Sequence, residues 1–357
     1  MNIAVISNTL LKGGAEKQSL LLVNNLKDRY NIFLIVLYGD QVEKEYLDFI
    51  KFNNINLILI KGNLLKKIIA LFRIFRDNEI DMVFSYLLKG NLISGICGRL
   101  AGIEFIYGGI RSARLPLIKL FVQKILHLFL HTKTITNSYA AKNYLVNNGF
   151  SYSKIVVIPN SVEPIPESIN HTDDKAIRIL TVARFDKSKD YFTSLLIIKS
   201  ISEKIPRSIK LEYYIVGYGK LKKQILKKIK LLSLQEIVKV IENPTNVSLY
   251  YRTSNVYLST SLFEGMSNSI LEAMSYSLPI IATDVGDNNQ IVVDGENGFL
   301  LPIKNLSSIA EKLLLLCSNS DMRTSMGKKS YEFISKNFSS EIFRKRYINL
   351  IENEFKA

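Results

Sequence analysis

Short aliphatic runs recur along almost the whole chain and alternate with longer stretches whose apolar residues return every third or fourth position. That alternation leaves few folds open. A short continuous apolar run needs cover on both faces. The order strand, helix, strand provides it in a parallel sheet with crossover helices. Asn2–Ser7, Asn31–Leu37, Asn56–Ile60, Asp81–Ser85, Glu104–Tyr107, Thr134–Thr136 and Ile155–Ile158 read as strands, and Ala15–Lys27 and Leu64–Arg76 as helices between them. After Pro159 the texture changes, and Pro164, Pro166 and the polar stretch Glu167–Lys175 read as a linker. The alternation then restarts with Ile177–Ala183, Leu211–Val216, Ile237–Ile241, Val256–Ser259, Pro279–Ala282 and Gly298–Leu301. The expectation is an α/β chain of two doubly wound domains facing across a cleft, 1–165 and 175–335. The periodic tail from Ser330 to Ala357 is expected to be helical and to leave the second domain, with a C-terminal helix at about 340–357 packing back on the first. With 357 residues, 47% of them hydrophobic, the chain can fill two cores.

The charge asks for an anionic partner. The formal net charge is +15, and the basic residues fall in blocks at Lys61–Arg76, Arg111–Lys133 and Lys220–Lys230. Each block fits the solvated face of an ordinary amphipathic helix. The first two together fit contact with an anionic membrane surface equally well. None contains a nucleic-acid recognition module, so nucleic acid is not an expected partner. No apolar run is long enough to predict a spanning helix. Met1–Ser7 reads as a first buried strand instead of a signal peptide, and Cys97 and Cys317 as reduced core thiols, which together predict a cytoplasmic protein.

Ligands of open α/β sheets bind beyond the carboxyl ends of strands, and four segments in such positions carry unusual chemistry. Gly13 and Gly14 follow the first strand and precede a helix, where a backbone free of Cβ atoms and a positive helix end suit a phosphate; a plain tight turn fits as well. Arg184 and Lys189 flank a short loop after the first strand of the second domain, spaced to meet a diphosphate from two sides. Gly217 and Gly219 form an incomplete dinucleotide fingerprint, which fits a loop lining a nucleotide pocket, or a turn, better than a dehydrogenase. Glu264 stands beside Gly265 at the end of a strand segment, where a carboxylate can accept from two sugar hydroxyls. Glu272, about one turn into a helix, also completes a capping box with Ser269, and that alone would explain it.

Taken in order, these residues resemble the retaining glycosyltransferases of family 4, which have the GT-B fold of two Rossmann-like domains. Phe263-Glu264-Gly265 through Glu272-Ala273 resembles the family's paired-glutamate motif. Pro279–Gly286, Asp294–Gly298, Gly13–Glu16, Val157–Asn160 and Arg184 with Lys189 resemble its other landmarks, so the resemblance covers nearly the whole chain. It implies that the first domain takes an acceptor and the second a nucleotide diphosphate sugar, here expected to be a uridine diphosphate hexose or N-acetylhexosamine. Glu264, Arg184 and Lys189 would be catalytic, Lys189 and Arg184 neutralising the diphosphate. Glu272 would hold the ribose, and Gly265, Met266, Ser267 and Asn268 would help bind the donor with Gly13, Gly14 and Gly217. No metal or other cofactor is implied. The acceptor would be a glycan or polyprenyl-linked intermediate of bacterial surface polysaccharide, at the inner face of the membrane.

Three departures from the family pattern stand out. The segment Gly108–Ser112, read as the loop after the fifth strand, has Arg111 where many relatives carry a histidine, and Arg111 is a candidate contact for acceptor or phosphate. Asp190 follows Lys189 where glycine is usual, and Gln290 replaces a common glutamate. An epimerase acting on a nucleotide sugar is the alternative on this architecture. It would need acid/base groups facing the sugar, and no good set is visible.

Overall fold

The computed structural model describes residues 1–11, 13–112, 114–165, 176–206 and 209–354. Pro166 and the polar stretch Glu167–Lys175, read above as a linker, lie outside the described residues. The chain forms two compact units. The first joins Met1–Ser161 to the tail from Ser340, and the second is Val162–Ser339.

The first unit is a parallel sheet of β1 (Asn2–Ser7), β2 (Asn31–Val36), β3 (Asn56–Leu59), β4 (Met82–Tyr86), β5 (Phe105–Ile110), β6 (Lys133–Thr136) and β7 (Ile155–Val157). Its strand order is β3-β2-β1-β4-β5-β6-β7. The crossovers are α1 (Gly14–Leu26), α2 (Lys44–Phe52), α3 (Leu64–Asp77), α4 (Leu87–Leu100), α5 (Leu117–Phe129) and α6 (Tyr139–Asn147). Helix starts are marked chemically: the Asn63 side chain accepts from the Lys66 N–H at 3.0 Å, and Ser138 accepts from Ala141 N–H at 3.1 Å.

The second unit repeats the plan. Its strands are β8 (Ala176–Val182), β9 (Lys210–Gly217), β10 (Val238–Glu242), β11 (Val256–Ser259), β12 (Ile280–Thr283) and β13 (Gly298–Leu301), in the order β10-β9-β8-β11-β12-β13. The helices are α7 (Tyr191–Ser202), α8 (Lys222–Leu231), α9 (Ser248–Arg252), α10 (Asn268–Ser275), α11 (Leu306–Ser318) and α12 (Ser320–Asn337). One face of this sheet packs on α7, α8 and α11, the other on α10 and α12. The third basic block is α8, which buries Ile225 and Ile229 and turns its lysines to solvent.

The tail is not one helix. Residues from Ser330 to Asn337 finish α12 inside the second unit, and a second helix, α13 (Ser340–Glu354), starts after Phe338 and Ser339. It buries Phe343, Tyr347, Leu350 and Ile351 in the same core as Leu20, Leu22 and Val23 of α1. The edge rings of Phe84 and Phe343 meet Tyr347, which sets its hydroxyl 3.3 Å from that of Tyr86. Strand β5 also runs further than expected. Gly108, Gly109 and Ile110 belong to the strand, so Arg111 stands directly at its carboxyl end. A Cβ on Gly108 would lie 2.2 Å from the His131 ring, so this glycine is what lets the imidazole pack on the sheet.

His131 and His127 are both fully enclosed. His127 accepts the Ser151 N–H on Nε2 at 3.0 Å, so its proton sits on Nδ1 and is directed at Thr134 Oγ1, 2.8 Å away. Burial pushes both imidazoles down to about 4, with the Lys154 ammonium adding to the effect on each. A depressed folded value means the unfolded chain takes up protons first as the pH falls from the unperturbed 6.5. The stability held by the neutral rings is therefore complete above that value and drains away toward pH 4. At pH 5 the loss is about 2 kcal/mol per histidine. Urea midpoints measured from pH 8 to pH 4.5 should fall along that curve, and His127→Gln should flatten it. Phe343→Ala should cost about 3–4 kcal/mol in the same titration at neutral pH, as a cavity between α13 and the sheet.

Candidate functional site

In the second sheet the chain winds outward from β8 through β9 to β10, then returns to place β11 on the other side of β8. The crossovers after β8 and β11 therefore diverge, and the carboxyl ends of these two strands are where open α/β sheets bind their ligands. The loop after β8 carries Arg184, Lys189 and Asp190. The loop after β11 carries Ser261, Glu264 and the approach to α10.

Backbone hydrogen bonds tie these loops to one another. Leu262 N–H donates to Ser188 O at 2.7 Å, and the Thr260 hydroxyl reaches Lys189 O and Asp190 O at 3.2 and 3.1 Å. From the β12 side, Thr283 Oγ1 donates to Ser261 O at 2.6 Å, and Asp287 N–H to Gly265 O at 2.9 Å. Gly286, at φ +58°, lies so close under the Glu264 carbonyl that a Cβ would stand 2.3 Å from its oxygen. On the other flank a Cβ on Gly217 would lie 2.0 Å from Ala183 O, and Phe185 N–H donates to Tyr218 O at 2.6 Å. Gly217 is thus required by the close approach of two loops.

Within this frame Glu264 Oε1 accepts from Lys189 Nζ at 2.5 Å and from Ser261 Oγ at 2.7 Å. Only 15% of the Lys189 side chain and 10% of the Glu264 side chain are exposed, so the pair is partly shielded from water. Such charge-assisted bonds are short and strong, and they fix the carboxylate in one orientation. Four residues lie between Glu264 and the end of β11 at Ser259, so it belongs to the loop and not to the strand end.

Glu272 is not part of a capping box. The position before α10 is Ser267, whose side chain makes no capping bond, and Ser269 lies inside the helix. The Glu272 carboxylate instead accepts from the Tyr251 hydroxyl at 3.1 Å. Tyr251 is enclosed, stacked on Tyr276 at 5.3 Å, and burial with the adjacent Glu272 charge holds its hydroxyl protonated. Met266 and Ser267 are buried, Met266 in the core with Ile270 and Leu271, so its backbone and not its side chain is what this position can present. Asn268 opens α10.

The structure does not join Arg184 to the Lys189–Glu264 pair. Its side chain is 70% exposed and reaches Asp186 at 3.6 Å. In the first unit, Gly13 and Gly14 stand at the start of α1, but the Glu16 carboxylate folds back there, 2.2 Å from where a Gly13 Cβ would be, and takes a bond from Thr9 Oγ1 at 3.2 Å. Arg111 bonds Asn160 Oδ1 and lays its guanidinium 4.7 Å over the Tyr86 ring. Gln290 is exposed and turned to Asn289.

Ser261, Tyr251 and Gly286 were given no role by the sequence. Ser261 carries the weak signal of a hydroxyl three residues before Glu264, whereas Tyr251 is recognisable only once α9 is placed beside α10. Asp190, the apparent departure from glycine, sits at φ +45° and ψ +53°. Its carboxylate caps α7 through Thr193 N–H at 3.4 Å and Thr193 Oγ1 at 2.7 Å. An aspartate here accepts the left-handed backbone and gains a cap in return.

Residues 162–333, almost all of the second unit, match the family model "Glycosyl transferases group 1". The trehalose synthase of Thermococcus litoralis is 28% identical over 229 residues, 58% of this chain and 55% of that one, so the chain spans little more than half the length of this relative. The Escherichia coli UDP-Gal:alpha-D-GlcNAc-diphosphoundecaprenol alpha-1,3-galactosyltransferase is 26% identical over 283 residues, covering 72% of this chain and 71% of its own. The crystal structure of Anabaena Alr3699/HepE in complex with UDP superposes with a TM-score of 0.84 at 15% identity, over 99% of this chain and 100% of that one. That likeness establishes the fold as GT-B.

Asp190→Gly should cost only a few tenths of a kcal/mol, because the lost cap is offset by relief of the backbone. Asp190→Ala loses the cap and keeps the strain, and should cost about 2 kcal/mol in urea denaturation. Equal losses in the two variants would remove the left-handed backbone from the explanation.

Proposed function

We propose that this chain, whose second unit is a glycosyl transferases group 1 domain, moves a sugar from a nucleotide diphosphate sugar to a glycan or lipid-linked acceptor of bacterial surface polysaccharide, with retention at the anomeric carbon. The observation that carries the reading is the Lys189–Glu264–Ser261 constellation at the β8/β11 switch point. Uridine diphosphate is the proposed nucleotide, supported by one similar structure solved with UDP and one relative whose name gives UDP-Gal as its donor.

The chemistry follows from what each group offers. Lys189 presents three donors, of which Glu264 takes one, and the others are available to phosphate oxygens. As the bond between the anomeric carbon and the phosphate oxygen breaks, charge accumulates on the diphosphate, and a fixed ammonium stabilises it more in the transition state than in the ground state. Glu264 accepts from hydroxyls of the donor sugar, and the acidic residue on α10, Glu272, from those of the ribose. The acceptor hydroxyl attacks on the face the diphosphate leaves, and its proton passes to the departing phosphate oxygen. Configuration is thereby kept without a protein nucleophile. Arg184, being exposed on the same loop, closes on the diphosphate only when that ligand is bound.

Thermal unfolding with UDP and a panel of UDP-sugars should raise the melting temperature for the true donor. Glu264→Gln and Lys189→Met should each lower turnover by at least about 100-fold. Each single variant also leaves one charge of a shielded pair uncompensated, at about 3 kcal/mol. The double variant should therefore regain stability without regaining turnover. Full turnover in either single variant would rule out these roles.

A further inference from the structure

Helix α5 presents its apolar side to solvent. It buries Leu120, Gln123, Leu126 and His127 on one face, yet on the opposite face Leu117 is 82% exposed, Ile118 80%, Phe121 65% and Phe129 74%. At 100° per residue these four, with Ile125 and Leu128, fall in a single stripe directed away from the sheet. Beside it α4, packed between α3 and α5, exposes Leu92, Ile96 and Leu100, and α3 exposes Leu65 and Ile69. Apolar area of this extent is uncommon on a free surface and marks a contact.

The charge around the patch selects what covers it. The three helices carry eight basic residues against one acidic, Asp77. Lys67 turns inward, with its ammonium 3.2 Å from the centre of the Tyr38 ring, but Lys66, Arg73, Arg76, Lys89, Arg99 and Lys119 are exposed. A second copy of the chain would bring like charges together. A protein surface with acidic residues would match the charge, but it would also need an apolar groove complementary to a stripe reaching along the whole of α5. An anionic bilayer satisfies both at once, taking the aliphatic and aromatic side chains between its headgroups and the lysines and arginines against its phosphates.

We infer that the α3–α4–α5 face of the first unit is a docking surface for an anionic lipid bilayer, with α5 lying in the plane of the headgroups. No helix among the described residues is long and apolar enough to cross a membrane, so the contact proposed is peripheral. This inference does not depend on the reaction proposed above, because its readout is partition into lipid.

The test is co-sedimentation of the full chain with phosphatidylcholine vesicles with and without phosphatidylglycerol. Binding is expected with phosphatidylglycerol only, and to weaken as salt rises. Phe121→Ser and Phe129→Ser should each lower the partition coefficient at least about tenfold, from the lost burial of one aromatic ring. Lys66→Glu with Lys119→Glu should weaken binding to the anionic vesicles while leaving the apolar stripe intact. All these side chains are exposed, so unchanged thermal unfolding checks that the variants fold. Failure to bind either vesicle, or equal binding to both, would overturn the inference. So would light scattering that finds a dimer which Phe121→Ser dissociates while lipid binding stays absent, since a second copy would then be the occupant.

Discussion

A parallel sheet that grows outward from its middle must somewhere send adjacent connections in opposite directions, and in the second unit that place lies between β8 and β11. The rest of the candidate site depends on this constraint. It puts a loop with Lys189 next to a loop with Glu264, though 75 positions separate them in sequence. Leu262 and Thr260 hold the two loops together through bonds to Ser188, Lys189 and Asp190 oxygens, and Thr283 and Asp287 tie the second loop to the β12 side. The ion pair is thus seated in a lattice of neutral bonds that hold its two loops in place.

Much of the architecture was legible because parallel strands are buried on both faces. A strand such as β1 must then be apolar through its middle, as Ile3–Ile6 is, and such runs stand out from the periodic helices around them. All the strands expected from those runs are present, most within one or two residues of the expected limits. The largest difference is β5, where the glycines at 108 and 109 suggested a loop but serve the packing of His131 and Tyr86. The site was legible in its charged residues and illegible in their connections. Glycines at 217 and 286 look alike in sequence whether a ligand or another loop comes near, and here the neighbour is backbone. The Glu272 capping box was a true sequence pattern defeated by register, since α10 begins two residues too early for it. Asp190 taught the converse, that a departure from a family's usual residue can preserve the backbone geometry by other means.

The exposed face of α5 inverts the rule that made the fold readable. In most helices of this chain the apolar stripe points to the core, as Ile225 and Ile229 do in α8. On α5 the inward positions include Gln123 and His127, whose polar atoms find partners inside, and the larger share of apolar surface is outward. Periodicity alone assigns both patterns to an amphipathic helix. Only burial tells which side the protein keeps for itself.

The passage of the chain through the second unit before α13 has a consequence for biogenesis. The first unit needs Phe343, Tyr347 and Ile351 to close its core beside α1, yet these follow the whole of Val162–Ser339. At about 5–20 residues per second, synthesis of the intervening segment takes roughly 10–35 seconds. For that interval the later unit can finish folding while the earlier one waits with one apolar side uncovered. The N-terminal half is thus the last to be completed, and it is the half that a chaperone would find open on the ribosome.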